Sequence, residues 1–131
     1  MNNILMVVSA ADSLTMKDGS EHPTGFWAEE LVEAHRTLVE AGHRITFATP
    51  GAKAPTVDAI SLQPDQAGGE EKAAHLKSYL EELRPELDAP MALADVAPLE
   101  YDAVVIPGGH GPMADLAPDW DMGRILIAAN D

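Results

Sequence analysis

The sequence predicts an α/β fold in which a parallel sheet carries helices on both faces. Three short apolar runs, residues 4–8, 45–48 and 103–106, show no alternation with polar residues, which is typical of strands buried on both faces. A helical pattern separates the first two runs, so the chain opens with a strand-helix-strand unit. The 131 residues, 46% of them hydrophobic, correspond to one ordinary domain or a piece of one.

The first predicted helix lies between the first two runs. Its apolar residues recur at helical spacing and are Trp27, Leu31, Ala34, Leu38 and Ala41. Thr24 is the predicted cap of the first turn, and Gly42 stands where a left-handed residue usually ends a helix. The carboxyl ends of parallel strands share one edge of a sheet, so we expect the segments after the three runs to meet there and to form the ligand crevice.

Two further helices and an irregular segment complete the chain. Residues 70–86 are rich in Glu and Lys with a narrow leucine stripe, which indicates a surface helix, and a third helix is predicted after Pro118. Residues 51–69 are irregular but too apolar to be simply disordered. Three strands make a small sheet and residues 128–131 resemble a helix end before another strand, so we expect the sheet to be incomplete in this chain.

Composition excludes several classes of function. Lys and Arg total 8 against 22 Asp and Glu, giving a net charge of -14, which argues against nucleic-acid and membrane partners. No apolar run approaches the length of a membrane-spanning helix and the start lacks a basic segment, so we expect a cytoplasmic protein. Cysteine is absent, so this chain supplies no disulfide, zinc-thiolate site or thiol nucleophile.

Two acidic segments are candidates for chemistry near the expected crevice. Residues 9–23 form a long connection, and long loops at this edge are often functional, although its charges also fit a solvated loop. Glu29 and Glu30 stand in the first turn of the predicted helix, where carboxylates stabilise the helix dipole. On the helical period Glu30 lies closer to the apolar stripe, so we expect it to be more buried than Glu29 and to serve as a proton donor or acceptor.

The strongest candidate is the glycine-rich turn after the third run, residues 106–112 (IPGGHGP). Three glycines in four positions allow a sharp turn with exposed backbone N–H groups, as an oxyanion-binding corner requires. The turn lacks the spacing and the Lys-Ser/Thr pair of phosphate-binding loops, which argues against a nucleotide. His110 fits a base, a substrate contact or a turn residue. His35, His43 and His75 lack metal-ligand spacing and are interpreted as structural, so we expect no metal.

Residues 23–31 (PTGFWAEEL) and 101–113 (YDAVVIPGGHGPM), together with the opening strand and ATPG at 48–51, resemble the ThiJ/PfpI superfamily. The resemblance is closer to its class I glutamine-amidotransferase-like branch of heat-inducible chaperones and glyoxalase III proteins, and it spans the whole chain. It implies a flavodoxin-like fold, of which residues 1–131 would be the N-terminal part of one domain. It also implies a cysteine nucleophile, expected beyond Asp131, and no cofactor.

The same resemblance implies roles for individual residues. Glu30 matches the glutamate that faces the family cysteine, and Gly109 matches the glycine whose N–H lies in the oxyanion hole. The residues assigned to the substrate pocket are Gly108, His110, Gly111 and Trp27. The implied reaction is attack of a thiolate on a small aldehyde such as methylglyoxal, giving lactate without glutathione, or attack on an amide. We expect a homodimer, and a second polypeptide that supplies the missing part.

Two other interpretations stay open from the sequence. The chain fits a non-enzymatic truncated relative that binds a partner or acts as a holdase chaperone through exposed sheet and apolar surface. A response-regulator site is disfavoured, because Asp12 follows the first strand without the acidic pair and the lysine that complete such a site. Because a thiolate is the bond-forming group in the enzymatic interpretation, we expect the cysteine-free chain to be inactive alone.

Overall fold

The computed structural model describes residues 2–11, 13–108, 116 and 120–130. Its strands are β1 (Asn3–Val7), β2 (Ser13–Thr15), β3 (Glu21–Pro23), β4 (Arg44–Thr49), β5 (Met91–Ala92) and β6 (Ala103–Val105). Its helices are α1 (Ala28–Glu40), α2 (Pro64–Ala67), α3 (Glu70–Leu87) and α4 (Trp120–Asn130), with four short 3-10 turns between residues 50 and 100. No helix in these ranges is long and apolar enough to span a membrane.

The four-stranded sheet has the order β5-β4-β1-β6 and is parallel throughout. The three predicted strands are its neighbouring members, with Ile4 of β1 paired to Ile45 of β4 on one side and to Ala103 of β6 on the other. The parallel arrangement is therefore confirmed. Strand β5 was not predicted, because two residues paired only at the end of β4 carry no periodic signal.

Helices cover both faces of the sheet, as predicted. Alternate residues of β1 and of its extension to Val8 point to opposite faces. Met6 and Val8 pack with α1 and α3, whereas Leu5 and Val7 pack with Ile125 of α4 and the segment that precedes β6. The leucine stripe of α3 is buried in the first of these layers and comprises Leu76, Leu80, Leu83 and Leu87. The helix predicted over residues 70–86 is therefore present, and its buried leucine side chains hold it in this layer.

The irregular segment between β4 and α3 packs against the beginning of α1. Val57 forms a parallel bridge with Phe26, and a Cβ placed on Gly25 would lie 2.2 Å from the carbonyl oxygen of Thr56. Only a residue without a side chain permits this approach of two backbones. The segment therefore holds the chain just before α1, which is the helix that carries the candidate glutamates.

One edge of the sheet is open within the part of the chain that the structure describes. Strand β6 pairs with β1 along one edge, and no described strand lies on its other edge. Its residues are apolar, yet Ala103 is exposed and Val104 and Val105 are only half-buried. The position of this sequence within a single larger domain stays a prediction.

Candidate functional site at the β1 and β6 strand ends

The candidate site lies at the carboxyl ends of the neighbouring strands β1 and β6, where the strand order of the sheet reverses. From β1 the chain passes to β4 through α1, whereas β6 lies on the other side of β1. In open parallel sheets the ligand crevice forms where the strand order reverses in this way. Residues 9–11 and 106–108 follow these two strands, so the predicted clustering of the loops is confirmed for the described part.

Glu30 reaches this crevice from the first turn of α1. A Cβ built on Gly108 would lie 2.6 and 2.7 Å from the two carboxyl oxygens of Glu30 and 3.0 Å from its Cδ. The carboxyl group therefore packs directly on the Gly108 backbone. The structure brings together the candidate glutamate and the start of the glycine-rich turn, which are 78 positions apart in the sequence.

The expected burial of the two glutamates is wrong. Glu30 is exposed among the described residues, whereas the Glu29 side chain is 35% exposed and accepts a hydrogen bond of 2.6 Å from Lys72 Nζ of α3. The difference follows from the surroundings of the two side chains, since Glu29 has a cationic partner on α3 and the Glu30 carboxyl contacts the Gly108 backbone. Glu29 points to the neighbouring helix, and Glu30 points to the end of the sheet.

The beginning of α1 is fixed by distant parts of the chain. The N–H of Trp27 donates to the Gly108 carbonyl at 3.0 Å, and the N–H of Ala28 donates to Ser61 Oγ at 3.0 Å. Thr24 was predicted as the cap, but it makes no such bond: its buried Oγ1 has no hydrogen-bond partner among the described residues. No sequence pattern indicated Ser61, because the hydroxyl comes from 33 positions away.

The predicted pocket residues are only partly within the described structure. Trp27 is half-buried at the start of α1, and Gly108 is half-buried against Glu30. Gly109, His110 and Gly111 lie outside the described residues. The predicted oxyanion hole and the role of His110 therefore stay predictions.

The long connection after β1 folds into the β2-β3 hairpin. Asp18 shapes its turn, since its Oδ1 accepts a 2.9 Å hydrogen bond from the N–H of Ser20 and a second bond from the Ser20 hydroxyl. These bonds hold the pKa of the exposed Asp18 carboxyl below its ordinary value. Asp18 thus acts as a turn residue, and Asp12 lies outside the described residues.

His35 lies in the interface between α1, α3 and β4. It is 8% exposed, its Nδ1 forms a 2.7 Å hydrogen bond with the Tyr79 hydroxyl, and its ring stacks on Phe47. Burial lowers the pKa of this imidazole, against a smaller opposing effect of Glu86. In the described ranges no group of three or more His, Cys, Asp or Glu side chains is arranged to hold a metal ion.

Sequence comparison finds one matching protein family and two similar proteins. Residues 22–127 match the ThiJ/PfpI family-like model. The protein/nucleic acid deglycase HchA of Pseudomonas aeruginosa, from strains LESB58 and UCBPP-PA14, is 29% identical over 95% of this chain. The match covers 43% of the deglycase, so the chain spans less than half the length of these relatives.

Two solved structures share the fold. The Rapid Encystment Protein 24 kDa of Francisella tularensis superposes with a TM-score of 0.76 at 22% identity, over 98% of this chain and 54% of that one. Glyoxalase III from Candida albicans superposes with a TM-score of 0.75 at 21% identity, over 99% of this chain and 53% of that one. At these identities the likeness shows a common flavodoxin-like architecture, and the activity has to be argued from the site.

Proposed function

The chain belongs to the ThiJ/PfpI-like family, and from that premise we propose that it forms part of a cysteine-dependent enzyme acting on small reactive carbonyl compounds. The observation that carries the proposal is the carboxyl group of Glu30 against Gly108 at the β1 and β6 strand ends. This contact supports a role for Glu30 in proton transfer, next to a turn whose glycines suit it to binding an oxyanion. The names of the relatives, deglycase and glyoxalase III, favour a reactive carbonyl compound over an amide as substrate.

The proposed division of labour uses a thiol from outside these 131 residues, because the sequence contains no cysteine. The thiolate sulfur bonds to the aldehyde carbon, and the carbonyl oxygen becomes an oxyanion stabilised by the Gly109 N–H. The Glu30 carboxyl, when protonated, donates a hydrogen bond to the thiolate and gives its proton to the oxyanion once the C–S bond has formed. The resulting carboxylate removes the hydrogen of the former aldehyde carbon as a proton and returns it to the neighbouring carbon, while the hydroxyl proton passes to the neighbouring oxygen, so that the adduct becomes a lactoyl thioester. Water releases the acid product and regenerates the thiolate, so that methylglyoxal and water give lactate.

In this proposal Gly108, His110, Gly111 and Trp27 line the substrate pocket, and the assembly is a cytoplasmic homodimer. Residues outside these 131, on the same or on a second polypeptide, supply the remaining strands and the thiol. Mass spectrometry of the intact, natively purified protein tests this directly, because a cysteine-containing segment is expected in stoichiometric amount, either on the same polypeptide or on a bound second one. Conversion of methylglyoxal at a full rate by the purified cysteine-free chain alone would overturn the mechanism.

The role of Glu30 is tested by Glu30→Gln, with Glu29→Gln as the matched control one position away. In the active assembly we expect Glu30→Gln to lower kcat by about a hundredfold or more, the range typical of a lost acid/base group. Glu29 pairs with Lys72 on the surface between α1 and α3, so Glu29→Gln should leave kcat unchanged. Equal effects of the two substitutions would contradict the assignment.

One observation supports a second function of a different class, that of a partner-binding or holdase protein. Large apolar side chains are exposed directly after β6 and on α4: Ile106 is 39% exposed, Leu126 46% and Ile127 70%. Exposed apolar surface of this kind marks a site of protein association. Suppression of aggregation of a heat-denatured test protein by the purified chain, abolished by Leu126→Lys and Ile127→Lys, would favour this function.

A further inference from the structure

Three consecutive backbone N–H groups at the start of α1 are bound by segments distant in the sequence. The N–H of Phe26 donates to Thr56 O at 2.9 Å, that of Trp27 to Gly108 O at 3.0 Å, and that of Ala28 to Ser61 Oγ at 3.0 Å. A helix normally leaves its first N–H groups without intrahelical partners, so these bonds set the direction in which the helix begins. Glu30 follows only two residues after Ala28.

Ser61 is the one side chain in this set. It is fully buried, and its hydroxyl also donates to the Asp58 carbonyl at 2.6 Å. A serine hydroxyl has a single hydrogen, so this bond fixes the rotor and directs a lone pair to the Ala28 N–H. The Asp58 carboxyl in turn accepts a 3.0 Å bond from the Ile60 N–H, which holds the short turn carrying Ser61.

We propose that Ser61 is a positioning residue for Glu30. Its hydroxyl caps α1 from the neighbouring segment and keeps the first turn of the helix at the distance from Gly108 at which the Glu30 carboxyl contacts the glycine. Two hydrogen bonds act together in this positioning. The N–H of Trp27 donates to the carbonyl of Gly108 itself, and the N–H of Ala28 donates to the Ser61 hydroxyl. Only the catalytic consequence of this inference rests on the proposed function.

The positioning is tested in the protein itself by NMR. Ser61→Ala removes the cap, and Thr49→Val is the matched control, because Thr49 is also fully buried and its hydroxyl makes one hydrogen bond of 2.7 Å, to the Lys53 carbonyl. Ser61→Ala should accelerate exchange of the Ala28 amide by about five- to tenfold, as loss of one hydrogen bond allows. It should also weaken the nuclear Overhauser contacts between the Glu30 side chain and the Gly108 Hα. Unchanged contacts in Ser61→Ala, or the same loss in Thr49→Val, would overturn the inference.

The catalytic consequence is tested in the active assembly with Glu30→Gln as reference. Ser61→Ala should lower kcat by about tenfold or more with KM unchanged, since a displaced catalytic group affects the chemical step. In the Glu30→Gln background Ser61→Ala should have no further effect on kcat, because it acts through Glu30. An additive loss would refute the positioning role. If Glu30→Gln itself retains full activity, the proposed function is wrong, and the NMR result alone decides the inference.

Discussion

Replacement of Gly108 by alanine should displace the Glu30 carboxyl while leaving the fold intact. The added Cβ would lie 2.6 to 3.0 Å from three atoms of the Glu30 carboxyl, whereas non-bonded contacts to carbon are normally about 3.5 Å. The carboxyl must therefore move by about 1 Å. The obstacle is the end of a flexible and exposed side chain, so a changed rotamer relieves it at a cost of about 1 kcal/mol.

The expected functional effect is much larger than the effect on stability. A misplacement of about 1 Å in a reacting group lowers the rate by about a hundredfold. The assay is methylglyoxal consumption by the active assembly, combined with urea unfolding of the same preparation. Gly108→Ala should reduce kcat without a large shift of the unfolding midpoint.

Gly25→Ala is the matched control, because it replaces another glycine at which an added Cβ would lie too close to neighbouring atoms. There the Cβ would meet the backbone at Thr56 O, 2.2 Å away, and at the backbone atoms of Val57 and Asp58, each at 2.7 Å. Backbone cannot rotate aside, so Gly25→Ala should destabilise the protein by about 3 kcal/mol or more. Full activity of Gly108→Ala, or destabilisation as large as that of Gly25→Ala, would refute the reasoning.

Two further predictions concern the α1-α3 interface. Because burial lowers the pKa of His35, the unfolded chain binds more protons than the folded one below about pH 6.5, and the free energy of unfolding should fall as the pH decreases through that range. The urea midpoints measured at about pH 8 and about pH 5.5 should therefore differ less in His35→Gln than in His75→Gln. His75 serves as the control because its imidazole is exposed. Glu29→Gln should change the urea midpoint only slightly, because its pair with Lys72 is partly solvated, the side chains being 35% and 42% exposed. A double-mutant cycle over Glu29 and Lys72 at low and high salt measures the coupling of the pair, and a coupling that salt does not weaken would contradict the prediction.

Sequence periodicity alone was sufficient for the strands and helices with strong local patterns. The continuous apolar runs at 4–8, 45–48 and 103–106 predicted three parallel strands, and the stripe through Leu31 predicted α1. Because the ends of parallel strands share one edge of the sheet, Glu30 and the glycine-rich turn were expected to lie close together. The Glu30 carboxyl does contact Gly108, the first glycine of that turn. These features follow from backbone hydrogen bonding and burial on a repeating period, which neighbouring residues encode.

The tertiary structure alone decided which groups complete these elements. Ser61 caps α1 in place of Thr24, and Glu29 is the glutamate held by a partner while Glu30 is exposed. Strand β5 exists only through its pairing with β4. Each of these outcomes depends on a contact between residues more than thirty positions apart, and no local period records such contacts because they arise only when the packed elements bring the groups within hydrogen-bonding distance.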